Sequence, residues 1–240
     1  MDAALTEDMI AYLANLRAAG PLQTRGERDA ATRLVELLGF ESHHDHQKNW
    51  DTLKCLAYLM GESGRKGPVL DAGSGAKAVV LRWLHGLGYR ELYACDIVPA
   101  KSPLLDRFGI EFTQQDLTAT TYADDFFQAV TSISVIEHNV PLDKFVAEMH
   151  RILQPGGLLL VSTDYWPEPV DCSGIYPYGE EAGEMKLFDK RTMTGFIDLA
   201  KRASFELCQT PAFEAKERAV RWERVDRDYT FFFLAFRKRA

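Results

Sequence analysis

The sequence predicts an α/β fold in which helices cover both faces of a doubly wound, mostly parallel sheet, with a helical cap at the N-terminus. Two observations support this prediction. Residues 69–70 are apolar, lead into Asp71 and precede two glycines, after which apolar residues recur at helical spacing. Residues 91–96 and 110–116 repeat the pattern of a strand that ends in an aspartate, with a helical segment between them. Strands that alternate with helices are typical of parallel sheets.

The length and composition indicate one domain with additions. The chain has 240 residues, of which 46% are hydrophobic and 26% charged, which is enough for a sizeable core. The formal net charge of −7 disfavours nucleic acid as a partner, because phosphate binding requires a basic surface. No apolar run approaches the roughly 20 residues of a membrane span. The 4 cysteines lie far apart, without a C-x-x-C pair or a secretory signal, and predict reduced thiols in the cytoplasm. The sequence does not indicate an oligomeric state.

Residues 1–62 are predicted to form the N-terminal cap. Apolar residues recur at helical spacing in three stretches, which are residues 5–16, 30–38 and 53–60. Gly20-Pro21 ends the first of these patterns and Gly39 ends the second. A cap that packs on the main domain is the favoured interpretation, and the alternative is a helix pair that binds a partner.

A polar segment between the second and third predicted helices reads His43-His44-Asp45-His46. Adjacent side chains rarely converge on one metal ion, and the segment has no H-x-x-x-H repeat, so no metal site is predicted. Two interpretations remain, namely a polar loop without a ligand and a loop that closes over a cofactor or substrate. In the second case Trp50 would provide an apolar wall of the substrate site.

The turn after the first strand of the main domain carries the chemistry on which the functional prediction depends. Gly73 and Gly75 allow a tight turn and a close approach of a ligand to the backbone. The third glycine of a dinucleotide-binding fingerprint is absent, because Lys77 and Ala78 follow. Asp71 would repel a pyrophosphate at this turn but would hold an ammonium group. The turn therefore favours a zwitterionic adenosine cofactor over NAD.

Two further aspartates end the next two predicted strands. Asp96 lies about twenty residues beyond the glycine turn, where α/β folds of this kind place a carboxylate for the ribose hydroxyls. Its two oxygens can accept both sugar O–H groups. Asp116 ends the third strand. Together with Asp71, these residues indicate one ligand site at the carboxyl edge of the sheet.

Three stretches of the sequence resemble a known family. The stretch P-V-L-D-A-G-S-G at residues 68–75 resembles motif I of the class I S-adenosylmethionine-dependent methyltransferases. The run S-I-S-V-I-E-H at residues 132–138 resembles the segment after strand four of small-molecule (type 11-like) methyltransferases, and L-x-P-G-G at residues 153–157 precedes a strand in many members. The resemblance implies a seven-stranded, mostly parallel sheet with an antiparallel last strand in residues 63–240, S-adenosylmethionine as the cofactor, and a small-molecule acceptor.

The resemblance also implies which residues bind the cofactor. The glycine turn and Asp71 would hold the methionine part, Asp96 the ribose, and Asp116 with Leu117 the adenine. The full predicted set is Asp71, Gly73, Gly75, Asp96, Ile97, Asp116, Leu117 and Ser132. The implied reaction is in-line transfer of the sulfonium methyl group, for which the protein chiefly aligns the reactants and excludes water.

The predicted acceptor site lies after the fifth strand. Residues 164–190 are rich in aromatic, proline and acidic residues, and a long segment at this edge of the sheet predicts a mobile lid over the acceptor. Tyr165 and Trp166 are the predicted substrate-binding residues. If the acceptor is a hydroxyl, His138 or Asp164 is the predicted catalytic base, whereas an amine acceptor would have to arrive neutral.

Three alternatives to a small-molecule methyltransferase remain. An NAD(P)-dependent oxidoreductase is disfavoured by the missing third glycine and by the strand-end aspartates. A cofactor-binding regulatory module without catalysis would act through its N-terminal helices and bind the cofactor without turnover. An RNA methyltransferase is disfavoured by the negative net charge.

Overall fold

The computed structural model of the chain describes residues 16–61, 66–100 and 102–239. The first predicted helix, apart from Leu16, lies outside these residues, and so does the predicted domain boundary between residues 62 and 63. The described strands are β1 (Gly20–Pro21), β2 (Val69–Ala72), β3 (Leu92–Asp96), β4 (Ile110–Gln114), β5 (Phe127–Ile133), β6 (Leu153–Tyr165), β7 (Phe205–Leu207), β8 (Val220–Trp222) and β9 (Arg227–Lys238). The described α-helices are α1 (Arg25–Leu37), α2 (Asn49–Gly61), α3 (Val79–Gly86), α4 (Pro103–Arg107), α5 (Leu142–Ile152) and α6 (Lys190–Arg202).

Parallel strands form the centre of the described sheet, in the order β6-β5-β2-β3-β4. All four residues of β2 are buried, as expected for a parallel strand that has helices on both faces. The register pairs Asp71 of β2 with Ala94 of β3 and with Thr131 of β5, so these strands end at a common edge. The predicted doubly wound parallel sheet is confirmed.

The last strand of the chain is antiparallel, as the resemblance implies. β9 pairs with β6 over eight residues, and β7 pairs with the opposite edge of β9. These two strands and the parallel centre make up the expected seven-stranded sheet. Two short strands that the sequence did not predict, β1 and β8, also pair with β9.

Of the two described helices in the predicted cap, α2 packs directly on the sheet and α1 packs on α2. The Thr24 side chain accepts a hydrogen bond from the backbone N–H of Glu27 and so caps the N-terminus of α1. α2 begins at Asn49, four residues before its predicted start, and its residues from Asn49 to Leu59 are all buried between α1 and the sheet. Among the described residues, no helix is long and apolar enough to cross a membrane.

The sheet separates two hydrophobic layers, and alternation along the strands assigns each side chain to one of them. Phe231 and Phe233 of β9 lie in the layer beneath the cap helices. Phe232 and Phe236 lie in the opposite layer, against α5 and α6. A side chain at the carboxyl end of β6 therefore faces either the cap or the opposite helices, depending on its position in the alternation.

Candidate active site

The predicted site lies at the carboxyl edge of the parallel strands. In the order β6-β5-β2-β3-β4, the connections run outward in opposite directions from the β5–β2 pair, and ligands bind at such a switch point in open α/β sheets. The hydroxyl group of Thr131 on β5 donates a 2.7 Å hydrogen bond to the carboxyl group of Asp71 on β2. This pair marks the floor of the crevice.

The glycine turn after β2 has the conformation that the sequence predicts. Gly73 and Gly75 have φ angles of +82° and +58°, which favour glycine. The backbone N–H of Gly73 donates to the carbonyl of Cys95 over 2.8 Å, which ties the turn to the end of β3. A Cβ atom on Gly73 would lie 2.5 Å from the side chain of Val135, whereas a Cβ on Gly75 would meet nothing within 4 Å. A ligand can therefore approach the turn on the side of Gly75.

The carboxylate of Asp96 is held at the end of β3 by two backbone donors. The N–H of Gly75 donates to its Oδ2 over 3.0 Å, and the N–H of Val98 donates to its Oδ1 over 2.9 Å. Each oxygen keeps a second lone pair for another donor. The side chains of Ile97 and Val98 beside it are 70% and 64% exposed, so an apolar surface borders the carboxylate.

Asp116 and Leu117 lie next to Asp96 in space. The backbone N–H of Gln115 donates to the carbonyl of Asp96 over 3.0 Å. Asp116 is exposed, and its Oδ1 accepts hydrogen bonds from both the N–H and the hydroxyl group of Thr118. Leu117 is buried under this turn. The structure thus brings Gly75, Asp96, Asp116 and Leu117 to one edge of the sheet.

Asp71 is buried, and its charge depends on pH. Burial raises the pKa of its carboxyl group to about 7, although the hydrogen bond from Thr131 opposes this effect. An ammonium group in the crevice would favour the ionised carboxylate.

Ser132 is the predicted cofactor residue that the structure places differently from the others. It is completely buried, and alternation along β5 directs it to the face of the sheet opposite to Thr131. Its hydroxyl oxygen has no hydrogen-bond partner among the described residues. Its assignment to the cofactor site stays a prediction.

A cluster of buried carboxyl groups lies beyond the crevice, where β5 and β6 end. Glu137 is 2% exposed, and its Oε2 accepts a 3.0 Å hydrogen bond from the hydroxyl group of Thr163. Asp164 directly follows Thr163 in β6, and the charge of the nearby Glu137 acts on its carboxyl group. Asp51 of α2 accepts a 2.8 Å hydrogen bond from the hydroxyl group of Ser162 and so joins the cluster from the cap side.

The charges in this cluster are coupled. Burial and, to a smaller extent, the neighbouring charge of Glu137 raise the pKa of Asp164 to about 8, although Lys48, His138 and Tyr229 oppose the shift. Burial also raises the pKa of Glu137, and that of Asp51 to about 6. Burial opposes the charge on Lys48, but the carboxylates of Asp51, Asp164 and Glu137 raise its pKa above the usual value.

Aromatic rings surround the mouth of this cluster. The ammonium group of Lys48 lies 4.8 Å from the centre of the Phe231 ring. The ring of His138 meets Tyr178 edge to face with the centroids 5.2 Å apart, and Tyr178 lies 6.0 Å from the indole ring of Trp222. Burial by its surroundings lowers the pKa of His138, while Asp164 raises it, so the imidazole is neutral at pH 7.

The three predicted substrate-binding residues are not brought together. Trp50 is 2% exposed, and its indole N–H donates to the carboxylate of Glu27 over 2.6 Å. Tyr165 is buried in the layer opposite to the cap, where its hydroxyl group donates to the carbonyl of Phe213. Trp166 stacks against the guanidinium group of Arg218 at 4.5 Å. A contact of these side chains with an acceptor stays a prediction, and the rings at the mouth are those of His138, Tyr178 and Trp222.

The predicted lid is attached to the body at both ends. β6 extends to Tyr165, the second residue of the predicted lid, and the backbone N–H of Trp166 donates to the carbonyl of Phe188. Asn139, in the segment after β5, donates from its side-chain amide to the carbonyl of Ala182 over 3.0 Å. Residues 167–187 form the excursion between these attachments, and it carries Tyr178 to the mouth of the cluster.

Sequence reasoning missed Lys48, Asp51, Tyr178 and Tyr229. The available signal for the first two was a pair of charged residues on either side of Trp50, at the start of an otherwise apolar helix. The histidine segment before them forms a 3₁₀ turn, His46–Lys48, which is capped by the Asp45 side chain. Within the described residues, no group of three or more histidine, cysteine, aspartate or glutamate side chains could hold a metal ion.

Comparisons with known proteins agree with this geometry. A family model described as "Methyltransferase domain" matches residues 70–161. The demethylmenaquinone methyltransferase of Bacteroides fragilis is 28% identical over 107 residues, which is 40% of this chain. The match covers 43% of the length of that relative.

Several solved structures share the fold. The 1,6-didemethyltoxoflavin-N1-methyltransferase of Burkholderia thailandensis, with bound 1,6-didemethyltoxoflavin and S-adenosylhomocysteine, superposes with a TM-score of 0.58 and 21% identity over 92% of each chain. The [4+2]-cyclase SpnF superposes with a TM-score of 0.57 and 17% identity, over 93% of this chain and 99% of the cyclase. Phosphoethanolamine N-methyltransferase 2 of Haemonchus contortus, in complex with S-adenosyl-L-methionine, superposes with a TM-score of 0.54 and 15% identity. The superposition covers 77% of this chain and 52% of that enzyme.

The residues matched by the methyltransferase-domain model include the glycine turn after β2 and the strands β3 and β5. The mostly parallel sheet with its antiparallel last strand has the Rossmann-like fold of the class I methyltransferases.

Proposed function

We propose that the chain is an S-adenosylmethionine-dependent methyltransferase that transfers a methyl group to a hydroxyl or amine group of a small-molecule acceptor. The observation that carries this proposal is the Asp96 carboxylate, which Gly75 and Val98 orient at the switch point of the sheet. The open side of Gly75 and the exposed apolar side chains next to Asp96 leave room for an adenosine group there.

The residues at this edge fit the cofactor in three parts. Asp96 would accept the ribose hydroxyls through the lone pairs that the backbone donors leave. Asp116 would accept from the adenine amino group, with Leu117 and Ile97 against the ring. Asp71 would face the ammonium group of the methionine part, in a buried position where the attraction between opposite charges is strong.

S-adenosylmethionine, when bound, supplies a methyl group that its positive sulfur has already activated. The residues of the chain then have to orient the acceptor, exclude water and receive any proton that the acceptor loses. His138 and Asp164 are the candidates for the proton acceptor. The proposed cap, residues 1–62, and the proposed lid, residues 164–190, would close the acceptor site over the domain formed by residues 63–240.

The solved relatives support a small-molecule acceptor. One is crystallised with 1,6-didemethyltoxoflavin, and the Haemonchus contortus enzyme is crystallised with phosphomonomethylethanolamine in a second structure. Both ligands are small organic molecules. The net charge of −7 in this chain is a further argument against nucleic acid.

A second candidate is a cofactor-binding protein of the same fold without methyl transfer. The [4+2]-cyclase SpnF favours this alternative, because a protein named for a different reaction superposes on this structure. An NAD(P)-dependent oxidoreductase is the third candidate, and the buried Asp71 beside the glycine turn is unfavourable for a pyrophosphate.

Calorimetry and a transfer assay together distinguish the three candidates. We expect S-adenosylmethionine and S-adenosylhomocysteine to bind and NADH to give no heat. Methyl-labelled S-adenosylmethionine incubated with a library of small hydroxyl and amine compounds should then give a labelled product. Cofactor binding without any labelled product would favour the non-catalytic candidate, and binding of NADH alone would contradict the proposal.

A further inference from the structure

Two carboxylate oxygens in the cluster at the ends of β5 and β6 are buried without a partner. Oε1 of Glu137 and Oδ1 of Asp164 have no hydrogen-bond partner among the described residues, although both side chains are less than a tenth exposed. An unpartnered buried acceptor is costly, because it has lost its hydrogen bonds to water without replacement. A ligand that brings hydrogen-bond donors would remove this cost.

The groups around these oxygens come from several separate elements. The titratable side chains that interact electrostatically with the pair are Lys48, His138, Cys172, Tyr178 and Tyr229, and Asp45 and Asp51 act on Lys48. They belong to the start of α2 and the turn before it, the segment after β5, the excursion 167–187 and β9. The ammonium group of Lys48 lies 4.8 Å from the ring of Phe231, the residue that pairs with Asp164 across β6 and β9. The carboxylates of Asp51, Asp164 and Glu137 each raise the pKa of Lys48.

We infer that Glu137 and Asp164 act as one proton-accepting pair at the acceptor site, that Lys48 holds this pair in its working charge state, and that the acceptor therefore presents an O–H or N–H group rather than a carboxylate. This inference rests on the proposed function and assigns the groups that receive the acceptor's proton. It assigns Lys48 a positioning role, because the lysine acts through the pair.

The proton balance of the reaction follows from the arrangement. Methyl transfer forms the bond between the acceptor oxygen or nitrogen and the methyl carbon and breaks the sulfur–carbon bond, whose electron pair stays on sulfur. The acceptor's proton moves to the unpartnered oxygen of the ionised member of the pair. Two adjacent buried carboxyl groups titrate as a unit, and the repulsion between two carboxylates favours a state in which they share one proton. In that state an unpartnered oxygen is ready to accept a proton.

The same charges exclude an anionic acceptor. A carboxylate ligand would enter a buried site that already holds Glu137, Asp164 and Asp51, with Lys48 as the balancing cation. Like charges at close range in a site of low dielectric repel strongly. A hydroxyl or neutral amine instead donates a hydrogen bond to an oxygen that has none.

Infrared spectroscopy of the purified protein tests the pair without any acceptor. We expect a protonated carboxyl band that persists above pH 7 and disappears near pH 8, the value to which Asp164 is raised. Asp164→Asn should remove this component, whereas Asp198→Asn, at an exposed position on α6, should leave it unchanged. In Lys48→Met the protonated carboxyl band should disappear at a higher pH than in the wild type, because the cation that stabilises the ionised pair is lost. In Lys48→Arg the band should disappear at the wild-type pH. A wild-type band that is lost by pH 6, or that Asp164→Asn does not alter, would overturn the inference.

Binding of two matched probes to the complex with S-adenosylhomocysteine tests the acceptor class. 2-Naphthol should bind at least about tenfold more tightly than 2-naphthoate, as one hydrogen bond to a charged group would give, and the double variant Glu137→Gln/Asp164→Asn should lose this preference. Equal binding of the two probes, no binding of either, or a preference for the naphthoate would overturn the assignment. Calorimetry with S-adenosylmethionine on the same samples separates the two proposals. No cofactor binding by the wild type would reject the proposed function. Normal cofactor binding, together with a naphthol or infrared result that contradicts the expectation, would reject only this inference.

Discussion

The two glycines of the turn after β2 should respond differently to the same substitution. Gly73→Ala places a Cβ atom 2.5 Å from the side chain of Val135 and forces alanine into a backbone with φ of +82°. Gly75→Ala also has a positive φ, of +58°, but its Cβ meets nothing within 4 Å. The first change should therefore damage the fold, and the second should mainly obstruct the ligand.

The magnitudes follow from these two contacts. A left-handed backbone costs an alanine roughly 1–2 kcal/mol, and the reduced entropy of the unfolded chain offsets about 0.4–1 kcal/mol of this. Overpacking against Val135 adds roughly 1–3 kcal/mol. We expect a loss of about 2–4 kcal/mol in the free energy of unfolding for Gly73→Ala and about 1 kcal/mol or less for Gly75→Ala.

Urea unfolding and calorimetry check this prediction. The effect of Val135→Ala on the free energy of unfolding should be about 1–3 kcal/mol more favourable in the Gly73→Ala variant than in the wild type. The reason is that the added Cβ atom and the Val135 side chain overlap directly. Gly75→Ala should reduce the affinity for S-adenosylmethionine while leaving the unfolding midpoint nearly unchanged. Equal destabilisation by the two glycine substitutions, without recovery from Val135→Ala, would refute the reasoning.

Three further predictions follow from the site. Asp96→Ala should weaken binding of S-adenosylmethionine by about 1–3 kcal/mol in calorimetry, because ribose hydroxyls lose their acceptor, while Asp198→Asn should have no effect. The affinity for S-adenosylmethionine should rise between pH 5.5 and 7, because burial raises the pKa of Asp71 to about 7 and its carboxyl group attracts an ammonium group only when ionised. Asp71→Asn should flatten this pH dependence. A wild-type affinity that falls over this range would contradict the assignment. Limited proteolysis within residues 165–184 should slow when cofactor and acceptor are both present, and equal cleavage in all states would be evidence against a lid.

The edge of the sheet that carries the proposed cofactor site could be predicted from the sequence because its determinants are local. Asp71 and Asp96 are among the last two residues of their strands, Asp116 lies two residues beyond the end of β4, and parallel strands bring such ends to one edge. The conformation of Gly73 and Gly75 is likewise fixed by the turn in which they lie. Only the placement of Ser132 required the register and alternation of β5, which a run of small polar residues does not define.

The acceptor side could not be predicted because it depends on contacts between distant parts of the chain. Asp51 meets Ser162 across 111 residues, and no pattern near either residue indicates this pairing. The direction of Tyr165 depends on how far β6 continues: once the strand runs past Ser162, alternation directs Asp164 to the cap and Tyr165 to the opposite layer. An aromatic composition alone does not reveal that direction.

The edge strands illustrate the same limit. Gly20-Pro21 is a helix-ending signal in the sequence, but in the structure these two residues pair with Phe233 and Phe232 of β9. Proline is tolerated in β1 because this strand lies at the edge of the sheet, where the side that faces away from β9 needs no backbone N–H donor. The pairing depends on β9, which lies about two hundred residues further along the chain, so local signals identify the break but not the strand.

A crystal structure of the protein with S-adenosylhomocysteine is the most direct test of the central claim. The account predicts that the ribose hydroxyls donate to the Asp96 carboxylate, that the adenine lies between Asp116 and the side chain of Ile97, and that the methionine part passes the open side of Gly75. Cofactor bound elsewhere on the chain, or a ribose without contact to Asp96, would contradict it.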